Sequence, residues 1–203
     1  MKLFTIAILT AAAFSSFAQT DLEKRVAKLE QELASLKQKV QSLLKQQQKF
    51  NSVNQLRAAA RKRMQTDLKY YSIEELKKIE QTYQRASKKW GALDCIRKFS
   101  EIVKKYPKSN RAGCAALYIG QMSKSKADKE KYFKMAIDKF GDCYYGDGVQ
   151  VASYARFQLG YFYLKSGKKS EAKKLFDQIK EKYPDSIDHK GRKLVDIIKR
   201  SGI

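Results

Sequence analysis

Between Leu22 and Leu43 the apolar residues step alternately by four and three: Leu22, Val26, Leu29, Leu33, Leu36, Val40 and Leu43. This heptad spacing predicts a coiled-coil seam, with Val26, Leu33 and Val40 at a and the remaining leucines at d. In that register Arg25 with Glu30, and Glu32 with Lys37, take g and e′ positions, so both pairs attract in a parallel homo-oligomer. Thr20 with Glu23 has the form of a capping box, which places the helix start there. After residue 46 the seam fades, and "KQQQKFNSVNQ" reads as a polar joint before a short basic helix, "LRAAARKRMQTDL". From Ser72, which forms a second capping box with Glu75, the pattern changes to pairs of amphipathic helices. The first helix runs to Lys89, turns at Trp90-Gly91, and its partner over 92–105 ends at Tyr106-Pro107. A second pair covers 110–123 and 127–140, and a third covers 150–165 and 169–182, closed by Pro184. Last comes "HKGRKLVDIIKR", a capping helix with Leu194, Ile197 and Ile198 on one face.

Pro107 and Gly141 stand 34 residues apart, which is the tetratricopeptide period. The third pair carries the pattern most fully, with Leu159-Gly160, Tyr163, Ala172, Phe176, Ile179 and Pro184 at its offsets. The second keeps Ile119-Gly120 and Phe133 but has Ser123 where tyrosine is expected, and the first keeps Phe99, Ile102 and Pro107 with Cys95 as the small residue. A competing motif fails: Gly167-Lys168 imitates a phosphate loop, yet its first glycine is replaced by Phe162 and its hydroxyl by Lys169. The predicted fold is all-α, an N-terminal parallel coiled coil followed by a tetratricopeptide-repeat right-handed α-solenoid with a C-terminal capping helix. Its divisions are 1–18, 19–46, 47–71 and 72–203.

Charge narrows the partners. Lys and Arg number 43 against 21 Asp and Glu, a formal net charge of +22. "MKLFTIAILTAAAFSSFAQT" has one lysine, an apolar run shorter than a membrane span, and small residues at 16 and 18, the form of a signal peptide cut after Ala18. An exported, periplasmic chain meets little nucleic acid, so its anionic partners are lipid, cell-wall polymer or acidic protein. No acidic residue stands between Leu33 and Thr66, and Arg57, Arg61, Lys62 and Arg63 form a candidate patch for such a surface.

Cys95, Cys114 and Cys143 lack zinc-site spacing. An antiparallel second pair brings Cys114 and Cys143 together, so a disulfide is expected between them, worth about 3–4 kcal/mol. His189 has no partner cysteine or carboxylate cluster in the sequence, leaving acid–base work to Asp142 and Asp147, which serve better as turn caps. The expectation is a non-enzymatic protein without metal or cofactor.

A leader ending Phe-Ala-Gln, a coil starting at once, a joint, and helical pairs closed by "KYPKS" and "KYPDS" resemble the periplasmic Tol-Pal-associated cell-division coordinator proteins of Gram-negative bacteria. The thirteen-residue step from Pro107 to Gly120 is similar to that family and to outer-membrane assembly lipoproteins. The resemblance implies a non-catalytic adaptor, dimeric or trimeric through its coil, that binds envelope proteins such as Tol-Pal components and couples envelope constriction to wall synthesis. The loop at 141–150 and the heavy positive charge depart from the family. In tetratricopeptide proteins the first helix of each unit lines a concave groove, which nominates Gln121, Lys124, Tyr154, Tyr161 and Lys165 here. Tyr154, Phe157 and Tyr161 also make a stripe that packing alone would bury. The alternative function is a basic envelope-surface protein binding anionic polymer or lipid, with the repeats mainly structural.

Overall fold

The computed structural model describes the backbone of residues 2–88 and 93–202, and the side chains of residues 22–48, 50–88 and 94–202. The described helices are α1 (Lys2–Gln65), α2 (Ile73–Lys88), α3 (Leu93–Lys105), α4 (Asn110–Met122), α5 (Lys126–Lys139), α6 (Val151–Lys165), α7 (Lys169–Lys182) and α8 (Leu194–Arg200), with a 3₁₀ turn at Thr66–Lys69. The chain divides into two compact units, 1–50 and 51–203. The expected turn at Trp90-Gly91 lies outside the described residues.

Two expectations fail in α1. It neither starts at Thr20 nor breaks after residue 46, but continues to Gln65. The supposed joint is polar without a breaker: no glycine or proline occurs before residue 66, and lysine and glutamine are good helix formers. In the first unit the seven seam residues are open to solvent in the single chain, from 46% exposed at Val26 to 63% at Leu29.

The second unit is a stack of helical hairpins. Each of α2 to α8 packs on the next in order, and α4 touches both α2 and α6, which makes α2, α4 and α6 one layer. Ser72 and Glu75 close the capping box that starts α2: the Ser72 N–H donates to the Glu75 carboxylate at 2.8 Å, and the Glu75 N–H to Ser72 Oγ at 3.2 Å. Each hairpin buries one phenylalanine from its second helix, Phe99, Phe133 and Phe176. Glycines on the facing helices make room for two of these rings. A Cβ at Gly120 would stand 2.7 Å from the Phe133 ring, and one at Gly160 would stand 2.6 Å from the Phe176 ring. The α2 and α4 helices are also joined by Arg111, whose guanidinium donates to both oxygens of Glu80 at 2.6 and 2.9 Å and lies over the Tyr83 ring.

The loop at 141–150 is not an isolated insertion. It forms a small hairpin closed by a bridge between Tyr144 and Gln150, and the chain builds the same hairpin again 43 residues later, between Ile187 and Lys193. The hydrogen bonds repeat one for one: Tyr145 N–H to Val149 O becomes Asp188 N–H to Arg192 O, and Val151 N–H to Cys143 O becomes Leu194 N–H to Ser186 O. Each tip turns through a glycine with positive φ, Gly148 at 97° and Gly191 at 70°. The second hairpin consumes the first five residues of the stretch expected to form the capping helix, so α8 begins only at Leu194, where Leu194 and Ile198 are fully buried. It stands to its hairpin as α6 stands to the first.

The end of α1 belongs to this unit. Ala60 is fully buried, and Val53 and Leu56 pack on the core. Arg63 leaves the expected basic patch altogether, turning inward to pair with Asp67 and with Asp142, while Arg57, Arg61 and Lys62 stay exposed. The cause is Asp67, 5% exposed. Its carboxylate accepts the backbone N–H of Asn110 at 2.8 Å, at the buried start of α4, and needs a cation beside it. Losing one partner of such a buried pair costs about 3–5 kcal/mol.

The expected disulfide is absent: Cys95, Cys114 and Cys143 are buried and none of them is disulfide-bonded. Each thiol of the expected pair has found another neighbour. Cys114 Sγ lies 3.5 Å from the Tyr144 carbonyl, and Cys143 Sγ lies 3.6 Å from the Arg63 guanidinium, packed against Gly113. Burial pushes the Cys114 thiol up to about 12 and raises Cys143 as well, which disfavours the reactive thiolate at both.

Two outcomes are expected. Gly160→Ala should lower the denaturant midpoint by the equivalent of about 1–3 kcal/mol, since the new methyl meets the Phe176 ring, whereas Gly146→Ala, with nothing within 4 Å, should stay within about 0.5 kcal/mol of the parent. A chromogenic disulfide reagent should leave all three thiols unmodified in the native protein and titrate all three after unfolding.

Candidate partner groove

The α4 and α6 helices turn their C-terminal halves toward a cleft of about 220 Å³. From α4 comes Gln121, and from α6 come Gln158, Tyr161, Phe162 and Lys165; Phe133 and Lys129 of α5 form the rest of the lining. Three of the five nominated residues, Gln121, Tyr161 and Lys165, therefore meet in one place. Lys124 does not line it, sitting exposed in the turn between α4 and α5. Tyr154 lies one turn further from the cleft, edge-on to the His189 ring at 5.1 Å between centroids.

The cleft has a cationic floor and aromatic walls. Lys129 Nζ donates to the carbonyls of Gly120 at 3.1 Å and Gln121 at 3.0 Å, satisfying the open end of α4, and burial holds its pKa below the usual lysine value. Tyr161 packs edge-on against Phe176 and bonds through its hydroxyl to Ser201 Oγ at 2.6 Å, so its ring is fixed from both ends. Lys165, exposed in the last turn of α6, is free to swing over the opening. Phe157 stacks on Tyr154 and meets Tyr161 edge-on at 4.8 Å, and all three rings are partly rather than fully buried. The stripe thus serves packing and lining together.

Sequence reasoning missed Gln158, Phe162 and Lys129. Gln158 was recoverable, being four residues after Tyr154 and three before Tyr161 on the same helical face. Lys129 was not, because its role comes from reaching across a hairpin to another helix's carbonyls.

The other end of the same layer is filled by the two hairpins. The Tyr145 side chain is buried against Tyr118 and donates its hydroxyl proton to the Cys114 carbonyl at 3.1 Å. His189, for which no partner cysteine or carboxylate cluster was expected, meets a single carboxylate: its Nδ1 lies 2.8 Å from Asp147 Oδ2, and its ring meets Tyr145 and Tyr154 edge-on. Burial pushes the Asp147 carboxyl up, but the bonds from His189 and from the Val149 N–H outweigh it and hold the group below the usual aspartate range. This pair fastens one hairpin tip to the next. Among the described residues there is no group of three or more His, Cys, Asp or Glu that could hold a metal ion, and no helix is long and apolar enough to cross a membrane.

No curated protein and no solved structure matches the chain. Residues 154–186, which comprise most of α6, all of α7 and the turn after it, match the family model of the tetratricopeptide repeat. In an all-helical stack of hairpins that match has a clear structural meaning: the chain contains a tetratricopeptide repeat, a module that serves protein–protein interaction.

Proposed function

We propose that this protein is a non-enzymatic scaffold of the bacterial periplasm, self-associated through α1, whose groove holds an extended segment of an envelope protein in the organisation or division of the cell envelope. The observation that carries the reading is the convergence of Gln121, Gln158, Tyr161 and Lys165 on one cleft of the repeat layer. Two amides and two lysines supply donors and acceptors for a backbone in extended form, and Tyr161, Phe133 and Phe162 supply an apolar seat for one of its side chains. The lysines favour a segment with a carboxylate beside that seat. Export and the division role rest on the leader-like N-terminus and on the resemblance to the Tol-Pal-associated coordinators.

Self-association rests on the open seam. Seven apolar side chains at heptad spacing lie on one helix, flanked by Arg25, Glu30, Glu32 and Lys37 in an order that attracts between parallel copies. Covering them stabilises by roughly 25 cal/mol per Å² of apolar surface removed from water. The choice of two strands or three follows from a positions occupied by Val26, Leu33 and Val40, a mixture that suits either.

Leu29→Asp with Leu36→Asp should convert the protein from a dimer or trimer to a monomer in sedimentation equilibrium while leaving the melting temperature of the repeat unit unchanged; an unaltered mass would refute the seam. A photo-crosslinking residue placed at Gln158 should capture a discrete envelope protein, and Lys165→Glu should reduce that adduct by about tenfold. Lys104→Glu, on the exposed face of α3, should not. Equal capture in parent and Lys165→Glu protein would sink the groove.

A further inference from the structure

A second cleft, of about 430 Å³, opens where the 3₁₀ turn, the Tyr106-Pro107 turn and the end of α5 come together. Lys69, Lys108 and Lys139 reach its rim, one from each of those stretches. Among the described residues none of the three has an ion pair, although Lys98, Lys105, Lys134, Lys173 and Lys193 all find carboxylates nearby. The carboxylates at this cleft are already taken. Asp67 is held by Arg63 and the Asn110 N–H, and Asp142 by Arg63 Nε at 2.6 Å. Four cations against two carboxylates leave an excess of two positive charges in one concavity. Convergence matters here, because a single exposed lysine is worth little to a bound anion, whereas three on one concave rim add their fields at short range.

The cleft also has an organic side. Tyr70 is 52% exposed, and Lys108 Nζ stands 4.6 Å from the centroid of its ring. Lys108 itself is held in place, since its backbone N–H donates to the Tyr71 hydroxyl at 3.1 Å. Pro107 lies beside it on the lining. The volume falls within the range of small-molecule sites, far more than a bare anion fills.

We propose that this cleft binds a phosphomonoester, its dianion set among Lys69, Lys108 and Lys139 and its organic part laid over Tyr70. The charge of such a group, close to −2 above its second pKa of about 6, matches the excess of two. A sugar or lipid headgroup of this class would give the chain's positive charge a defined address, in place of the α1 patch from which Arg63 has withdrawn. Neither the groove nor the seam enters the argument, so each stands or falls separately.

The test is calorimetric titration of the full chain with glucose 6-phosphate, inorganic phosphate and glucose. Glucose 6-phosphate should bind saturably and more tightly than inorganic phosphate, glucose should not bind, and affinity should fall several-fold from pH 7.5 to pH 5 as the ester loses its second charge. Lys69→Gln with Lys139→Gln should weaken glucose 6-phosphate binding by about tenfold, whereas Arg57→Gln with Arg61→Gln, which removes the same charge from exposed α1, should change it by less than about twofold. All four side chains are exposed, so folding should be kept; if the lysine pair lowers the melting temperature, Lys139→Gln alone should still weaken binding. Co-sedimentation with phosphatidylcholine vesicles with and without phosphatidate then separates a lipid from a soluble source, capture by phosphatidate that the lysine pair abolishes indicating the lipid. Absence of saturable phosphate binding, or equal weakening by both double variants, would overturn the proposal.

Discussion

The start of α4 is buried, and backbone N–H groups at a helix start have no partners of their own. Ser109 caps one by accepting from Ala112, and Asp67 takes another by accepting from Asn110. Much of the second unit is arranged around that second bond. Because a carboxylate is sequestered there, Arg63 must turn inward beside it, and because Arg63 turns inward, Asp142 is drawn to its far side. The side chain of Asn110 is then free to pair with both backbone groups of Tyr144, accepting at 2.8 Å and donating at 2.7 Å. One buried anion thereby fixes the end of α1, the start of α4 and the root of the first hairpin.

With the hairpins anchored, the inner layer acquires two different ends. Tyr145 covers the middle of α4, between Cys114 and Tyr118, and His189 the N-terminal half of α6 at Tyr154, the two linked by the bond from His189 to Asp147. The C-terminal halves stay open, with Lys129 closing the carbonyl end of α4 from below. A groove restricted to half the layer is therefore built into the repeat itself, because the element that plugs the other half is inserted between one hairpin unit and the next. It recurs at the same place before α8.

The helices were legible wherever a physical rule acts locally. Ser72 and Glu75 form the capping box their spacing predicts, and Gly167 takes a left-handed conformation in the turn between α6 and α7. What misled was polarity read as irregularity. The Gln- and Lys-rich tract after residue 46 lacks apolar period but also lacks any breaker, so α1 passes through it. The repeated hairpin escaped notice because its two copies share almost no side chains: "YYGDGVQ" and "IDHKGRK" have in common only the glycine at the tip and the backbone bonds around it. For the groove, residues sharing one helical face with Tyr161 could be found by counting, while Lys129, Arg63 and His189 take their roles from partners distant in sequence, which no spacing reveals.

The two glycine–phenylalanine contacts carry a further meaning. Each ring occupies the volume that a methyl on the facing helix would need, so the glycine cannot gain a side chain while the ring stays, and the ring cannot shrink without leaving a void against bare backbone. Either single change costs stability, and only a joint exchange, a small residue for glycine with a smaller one for phenylalanine, restores the volume. Gly120 with Phe133, and Gly160 with Phe176, thus act as single packing units, and the spacing between the helices of each hairpin is a property that neither residue holds alone.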